Sequence, residues 1–393
     1  MAALDSPPWT REINLGPGLY PHELVARAVD AEGKELARAR QWINMPRPPA
    51  EAEILLEHDR EGRAVGARVA WQSVMGEEPS KVAVSFDGRP LELDASRRAA
   101  LPAHAPDVTH VVTVELDFES GVHSRDDVAF GGTAGDRAQS ELTAVPVRTK
   151  KKRSRVDPAA MRGLLRSDDG PLRVAAAERG GASIWVIRDD NPGEIYSRLK
   201  DSSIFGGGFS PSALALQKTD SVQFVWPRAR AYGAGSLPAV LFPSSEGFSK
   251  ANGGFAFLLA HVANPEPAGI FPRYADAVAV AGVNAFASFS RRAVVLVLGK
   301  DAQDASTHPA AAVRRYLEAL RVPLFVWSLD PAPPRSGWGE VVPIATRSQL
   351  RSAYGKLRES LDAQALVWVE GRLLPQQIAI SPESAAAGVE LLH

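Results

Sequence analysis

Between about Tyr20 and Val147 the chain consists of short apolar runs broken by turn signals. Residues 23–29, 52–56, 65–71, 82–86 and 109–118 have strand length, and where they alternate they send one set of side chains to a core and the other to water. Asp30-Ala-Glu-Gly33, Glu61-Gly62 and Asp87-Gly88 separate them at the spacing of an antiparallel β-sandwich. Residues 36–43 fit a strand or a short helix, and periodicity does not decide between them.

From Ala182 the pattern changes. The runs 184–187, 222–226, 293–298, 324–327 and 365–369 are continuously apolar, as expected of strands covered on both faces. Between several of them, residues 273–289, 309–320 and 348–361 carry apolar positions at helical spacing. Such alternation predicts a mainly parallel α/β sheet with a doubly wound, Rossmann-like arrangement. Residues 206–211 and 231–254, rich in Gly, Pro and Ser, read as long loops, the second with room for a hairpin. The wholly polar stretch 148–155, Arg-Thr-Lys-Lys-Lys-Arg-Ser-Arg, reads as a solvated connector. Asp157-Pro158 then predicts an N-cap and first turn for a short helix over 159–165. The expected organisation is a sandwich over 1–147, a basic linker over 148–156 and an α/β domain over 157–393.

Composition narrows the chemistry. With 45 Lys plus Arg against 46 Asp plus Glu, no global field draws the chain to nucleic acid or to an acidic membrane surface. The absence of cysteine excludes disulfides, thiolate metal sites and Cys nucleophiles. No apolar run has the length of a bilayer span, and the opening residues show no export signal. Neither phosphate-binding glycine pattern occurs, and the nearest approaches to a nucleophile elbow, around Ser210 and Ser249, lack its second glycine. His110 and His123 read as surface or satisfied core histidines.

The stretch Tyr274-Ala-Asp-Ala-Val-Ala-Val-Ala-Gly282, the Arg291-Arg-led strand and the run 312–327 resemble the von Willebrand factor A domain, most closely the A-related proteins of acidobacterial type. The similarity covers about residues 182–380, and the amino-terminal part resembles the immunoglobulin-like modules that accompany such domains. The resemblance implies a divalent cation at the carboxyl ends of the parallel strands, held by Asp-x-Ser-x-Ser, a Thr and an Asp-Gly turn. It also implies a periplasmic or secreted location, with the cytoplasm left open.

Here the pattern is broken throughout. The first strand is followed by Arg188-Asp-Asp-Asn-Pro-Gly-Glu194 without either serine, Pro272 stands where the Thr belongs, and Gly299-Lys-Asp301 replaces the Asp-Gly turn. Asp189, Asp190 and Asp301 are the candidate ligands of any retained Mg²⁺ or Ca²⁺ site, while Arg188 and Lys300 bring competing positive charge. The expected function is therefore non-enzymatic: a protein-binding, adhesion or scaffold protein with no cofactor and no catalytic residue. Its partner-binding rim is expected at Arg188, Asn191, Lys300, Trp226 and Trp327, the two tryptophans ending apolar runs. The competing reading is a hydrolase or metal-dependent enzyme in the same crevice, and a third is self-association through open sheet edges.

Overall fold

The computed structural model describes residues 11–392 apart from 17–18, 30–34, 47–48, 60–62, 74–75, 106–107, 109, 132–141, 150–155, 157, 169, 189–213, 228, 231–239, 263–271, 300–302, 332–336 and 372. The fold is mixed and rich in β structure, with several antiparallel sheets and one parallel sheet. No helix among the described residues is long and apolar enough to cross a membrane.

Strands β1 (His22–Val29) and β2 (Glu35–Ile43) form an antiparallel hairpin, which settles residues 36–43 as a strand. An isolated two-stranded hairpin is marginal in water. This one is anchored at its base, where Leu19, Trp42 and Met45 pack against the helices of the α/β unit and Tyr316 Oη donates to Asn44 O at 2.6 Å.

The predicted alternation holds in the next unit. Strands β3 (Ala50–His58), β4 (Ala64–Ser73) and β7 (Arg98–Ala100) form one sheet. Strands β5 (Lys81–Phe86), β6 (Arg89–Leu91), β8 (His110–Asp117) and β9 (His123–Phe130) form the second, in the order β6-β5-β8-β9. On β8, His110, Val112, Val114 and Leu116 are buried, and the three aliphatic residues share one core with Ile54, Val69 and Ala99 of the facing sheet. Each such buried aliphatic side chain contributes roughly 1.5–3 kcal/mol.

Strand β10 (Leu142–Thr149) does not belong to that sandwich. It lies in a four-stranded sheet with β13 (Val174–Glu178), β21 (Gln364–Glu370) and β23 (Val389–Leu391), pairing antiparallel with β21 and β23. The expected boundary at 147 thus runs through a strand, and Arg148 and Thr149 of the expected linker are its last two residues; residues 150–155 lie outside the described part. In place of the predicted helix over 159–165 there is a single 3-10 turn, Pro158–Met161, followed by β11 (Leu165–Ser167). Strand β11 pairs with β12 (Gly170–Pro171) and β22 (Ala379–Ile380) over a core containing Met161, Leu165, Val147, Val367 and Ile378.

The α/β unit is inserted between β13 and β21. Its parallel sheet has the order β15-β14-β18-β19-β20, from β14 (Ala182–Arg188), β15 (Ser221–Val225), β18 (Arg291–Leu298), β19 (Leu324–Ser328) and β20 (Val341–Pro343). Residues 244–248 run antiparallel along the outer edge of β15, and β16 (Ala229–Arg230), just before the expected loop, forms a two-residue ladder with β17 (Val240–Leu241) inside it. Helices α1 (Phe255–His261) and α4 (Arg347–Ala363) cover one face, and α2 (Tyr274–Ala287) and α3 (Ala310–Ala319) the other. Gly282 lets α2 and α3 approach, since a Cβ there would sit 2.7 Å from Leu317 Cδ1.

Buried and half-buried arginines join this unit to the sheet of β10. The Arg292 guanidinium donates to Phe286 O and Arg321 O, and its backbone exchanges hydrogen bonds with the Gln364 amide at 2.8 and 3.0 Å. Arg321 donates to Pro375 O and Ile378 O at 2.5 and 2.6 Å. Arg179 reaches Thr149 Oγ1 and Asp362 O, and Arg291 reaches Gly180 O and Leu361 O. Burial lowers the Arg292 pKa to about 9, with the neighbouring Arg321 charge adding to the effect, so it remains cationic at neutral pH.

Candidate functional site

Strand β14 is the point from which the chain leaves first to β15 on one side and later to β18 on the other. Open α/β sheets place ligands at the carboxyl ends of strands at such a switch. Of the residues expected there, Asp189, Asp190, Asn191, Lys300 and Asp301 lie outside the described part. Arg188, Trp226 and Trp327 are described, and all three are buried.

Arg188, 1% exposed, ends β14. Its guanidinium donates to Leu259 O and Val262 O, the free carbonyls where α1 stops, and lies 5.5 Å from the Phe224 ring. A cation at a helix C-terminus satisfies orphan carbonyls and the helix dipole together. Burial lowers its pKa to about 10, so the charge persists. Arg188 is therefore a structural clamp on α1 and offers no rim contact. Trp327 is core, edge-on to Phe255 at 5.8 Å. Trp226 borders a groove of about 430 Å³ with Phe248, Phe257 and His261, and its buried indole N–H has no acceptor among the described residues.

The other wall is the loop between β18 and α3, and residues not singled out in the sequence organise it. Asp304 caps α2 by accepting from Tyr274 N and Ala275 N at 2.9 and 3.2 Å, and it also accepts from Ser306 N and Oγ. Asp276, in the first turn of α2, accepts from Thr307 N, His308 N and both Arg273 Nε and Nη2, at 2.6–3.2 Å. Burial raises the Asp276 pKa, but these donors outweigh it and hold the carboxyl below its ordinary value. The loop and the helix start are thus bound to each other. The available signal was local: Asp-x-Ser is a turn pattern that favours capping, and an acid follows at the next helix start.

A hard divalent cation needs several convergent oxygens with free lone pairs. The described residues do not fit one: the oxygens of Asp276 and Asp304 are committed to N–H donors, Pro272 has no side-chain oxygen, and Arg188 places a buried positive charge beside the switch point. Among the described residues no group of three or more His, Asp or Glu could hold a metal ion. In the sandwich, both nitrogens of His110 are used, Nδ1 at 2.7 Å from Asp87 Oδ2 and Nε2 at 3.0 Å from Ala105 O, while His123 is exposed beside Asp117.

No protein-family model matches the chain, and no curated protein does. Among solved structures, proximal thread matrix protein 1 (PTMP1) from the mussel byssus aligns over 52% of this chain and 51% of that one, at 13% identity and a TM-score of 0.31. A second crystal form of the same protein aligns over 49% of each chain at 15% identity and a TM-score of 0.30. The alignment spans about half of either chain, and at these scores it carries no inference about fold or function.

Proposed function

We propose that this chain is a non-enzymatic protein-binding or scaffold protein whose α/β unit is a von Willebrand factor A-like domain without a working cation site, accompanied by an immunoglobulin-like sandwich. In this reading the partner is held by protein surface, with no bridging metal, in an extracytoplasmic setting. The strand order, with β14 at the switch point and helices on both faces, supports the fold half of the reading. The observation that carries the functional half is the Arg188 guanidinium, buried with its charge at the carboxyl end of β14, while Asp276 and Asp304 accept from N–H donors at the start of α2. A cation there would meet a fixed positive charge at low local dielectric, where repulsion is least screened.

Calorimetric titration of the full chain with Mg²⁺, Ca²⁺ and Mn²⁺ tests this. The expected result is no saturable heat with any of the three. A saturable heat that disappears in Asp189→Ala or Asp301→Ala overturns the reading and returns the bridging-metal account.

A further inference from the structure

We propose that the amino end of the parallel sheet, opposite the crevice discussed above, binds an uncharged, hydroxyl-rich ligand of the saccharide class. A groove of about 600 Å³ lies there between the first residues of β14, the first half of β15 and the C-terminal end of α2. Pockets for small ligands commonly have volumes of about 300–1,000 Å³. Trp185 closes its floor, and the indole N–H donates to Ser183 Oγ at 3.0 Å, fixing that hydroxyl.

Three features define the ligand chemistry. First, no side chain lining the groove carries a charge. The nearest buried ions are committed elsewhere: Asp220 accepts from Arg358 at 2.6 Å and from Gln217 N at 3.0 Å, and Arg291 donates to Gly180 O at 2.7 Å. Second, the half-buried Ser221, Gln223 and Asn284 make no side-chain hydrogen bond within the described residues. The two amides each offer donors and an acceptor on one planar group, which suits hydroxyls that both give and accept. Third, at the C-terminal end of α2 the groove is lined by Ser288 and Ser290, whose hydroxyls lie 2.7 Å apart and add further neutral polar groups.

A peptide strand is a poorer fit. The outer edge of β15 is already occupied, with Val222 N donating to Phe248 O and Ser245 N to Phe224 O, so no ladder is open for a peptide to extend. Recognition has to run through side chains, and these are neutral donors and acceptors.

The test is calorimetric titration of the full chain with maltose, cellobiose, lactose and chitobiose, with digalacturonic acid as the charged control. At least one neutral sugar should bind with a Kd of about 1 mM or tighter, and Gln223→Ala and Asn284→Ala should each weaken it about tenfold. The Trp185 indole signal in a ¹⁵N–¹H spectrum, assigned through Trp185→Phe, should shift on addition of that sugar. This second readout decides the matter if a variant does not fold. No heat from any neutral sugar at about 20 mM, a preference for the acidic sugar, unchanged affinity in both folded variants, or an unmoved Trp185 signal overturns the proposal.

Discussion

In the sandwich, Arg68, Arg98 and Arg125 meet Glu57, Glu115 and Asp127 at the solvated surface, whereas in the α/β unit Arg188, Arg291, Arg292 and Arg321 lie in the interior and donate to backbone carbonyls. The contrast follows from what each architecture leaves unsatisfied. Antiparallel ladders pair their own backbone groups, so charged side chains are left to face water, where ion pairs add little. In an α/β unit, helix ends and strand starts converge in the interior with orphan carbonyls, and the five donors of a guanidinium can satisfy several at once.

The largest expected effect in this comparison comes from Arg292→Ala. It removes the bonds to Phe286 O and Arg321 O and the contact with the Phe286 ring, 4.7 Å from the guanidinium carbon. Hydrogen bonds to charged groups contribute about 1.5–3 kcal/mol each, so a loss of about 3 kcal/mol or more is expected in urea denaturation. A loss below about 1 kcal/mol would make the interior arginines no more important than the exterior ones, and the contrast would fail.

A smaller effect, with a pH signature, is expected of His110 in the sandwich. The hydrogen bond to Asp87 raises the His110 pKa above its ordinary value of 6.5, with desolvation acting against it. A raised histidine pKa stabilises the fold fully below pH 6.5, and the contribution is lost as pH rises through the folded-state value. Thermal unfolding between pH 5 and 9 should therefore show a decline toward high pH that is absent in His110→Phe. A slope that survives the substitution would assign it to another group.

Arg125→Ala should have the least effect. The side chain is half-exposed between Glu115 and Asp127, and its removal should leave the melting temperature within experimental error. A clear drop would mean that the surface pairs form a cooperative network, which would sharpen the comparison in the opposite direction.

Local patterning made much of this fold legible. The alternation of β8 and the Asp87-Gly88 turn, both residues at positive φ (49° and 75°), are what the sequence predicts for a hairpin in the sandwich. Helix α4 begins at Thr346 with a capping box to Gln349, close to the start predicted from its apolar spacing. What escaped was set by distant partners. Strand β10 reads as the end of the preceding domain because nothing within it names β21 as its neighbour. Helix α1, Phe-Ala-Phe-Leu-Leu-Ala-His, is apolar on nearly all sides and has no amphipathic period to detect. Arg188 looked like a rim residue because a charge at a strand end normally reaches water, and only the position of α1 shows why it does not.

The pairing of β10 with β21 has a consequence for synthesis. Leu142 has to wait for Glu370, its partner across the ladder, to leave the ribosome, and the whole inserted unit must be translated in the interval. At roughly 5–20 residues per second that delay is on the order of ten to forty-five seconds, during which the edge of β10 is open to strangers. The vulnerable species in synthesis is therefore the nascent chain in which β21 has not yet emerged to cover β10.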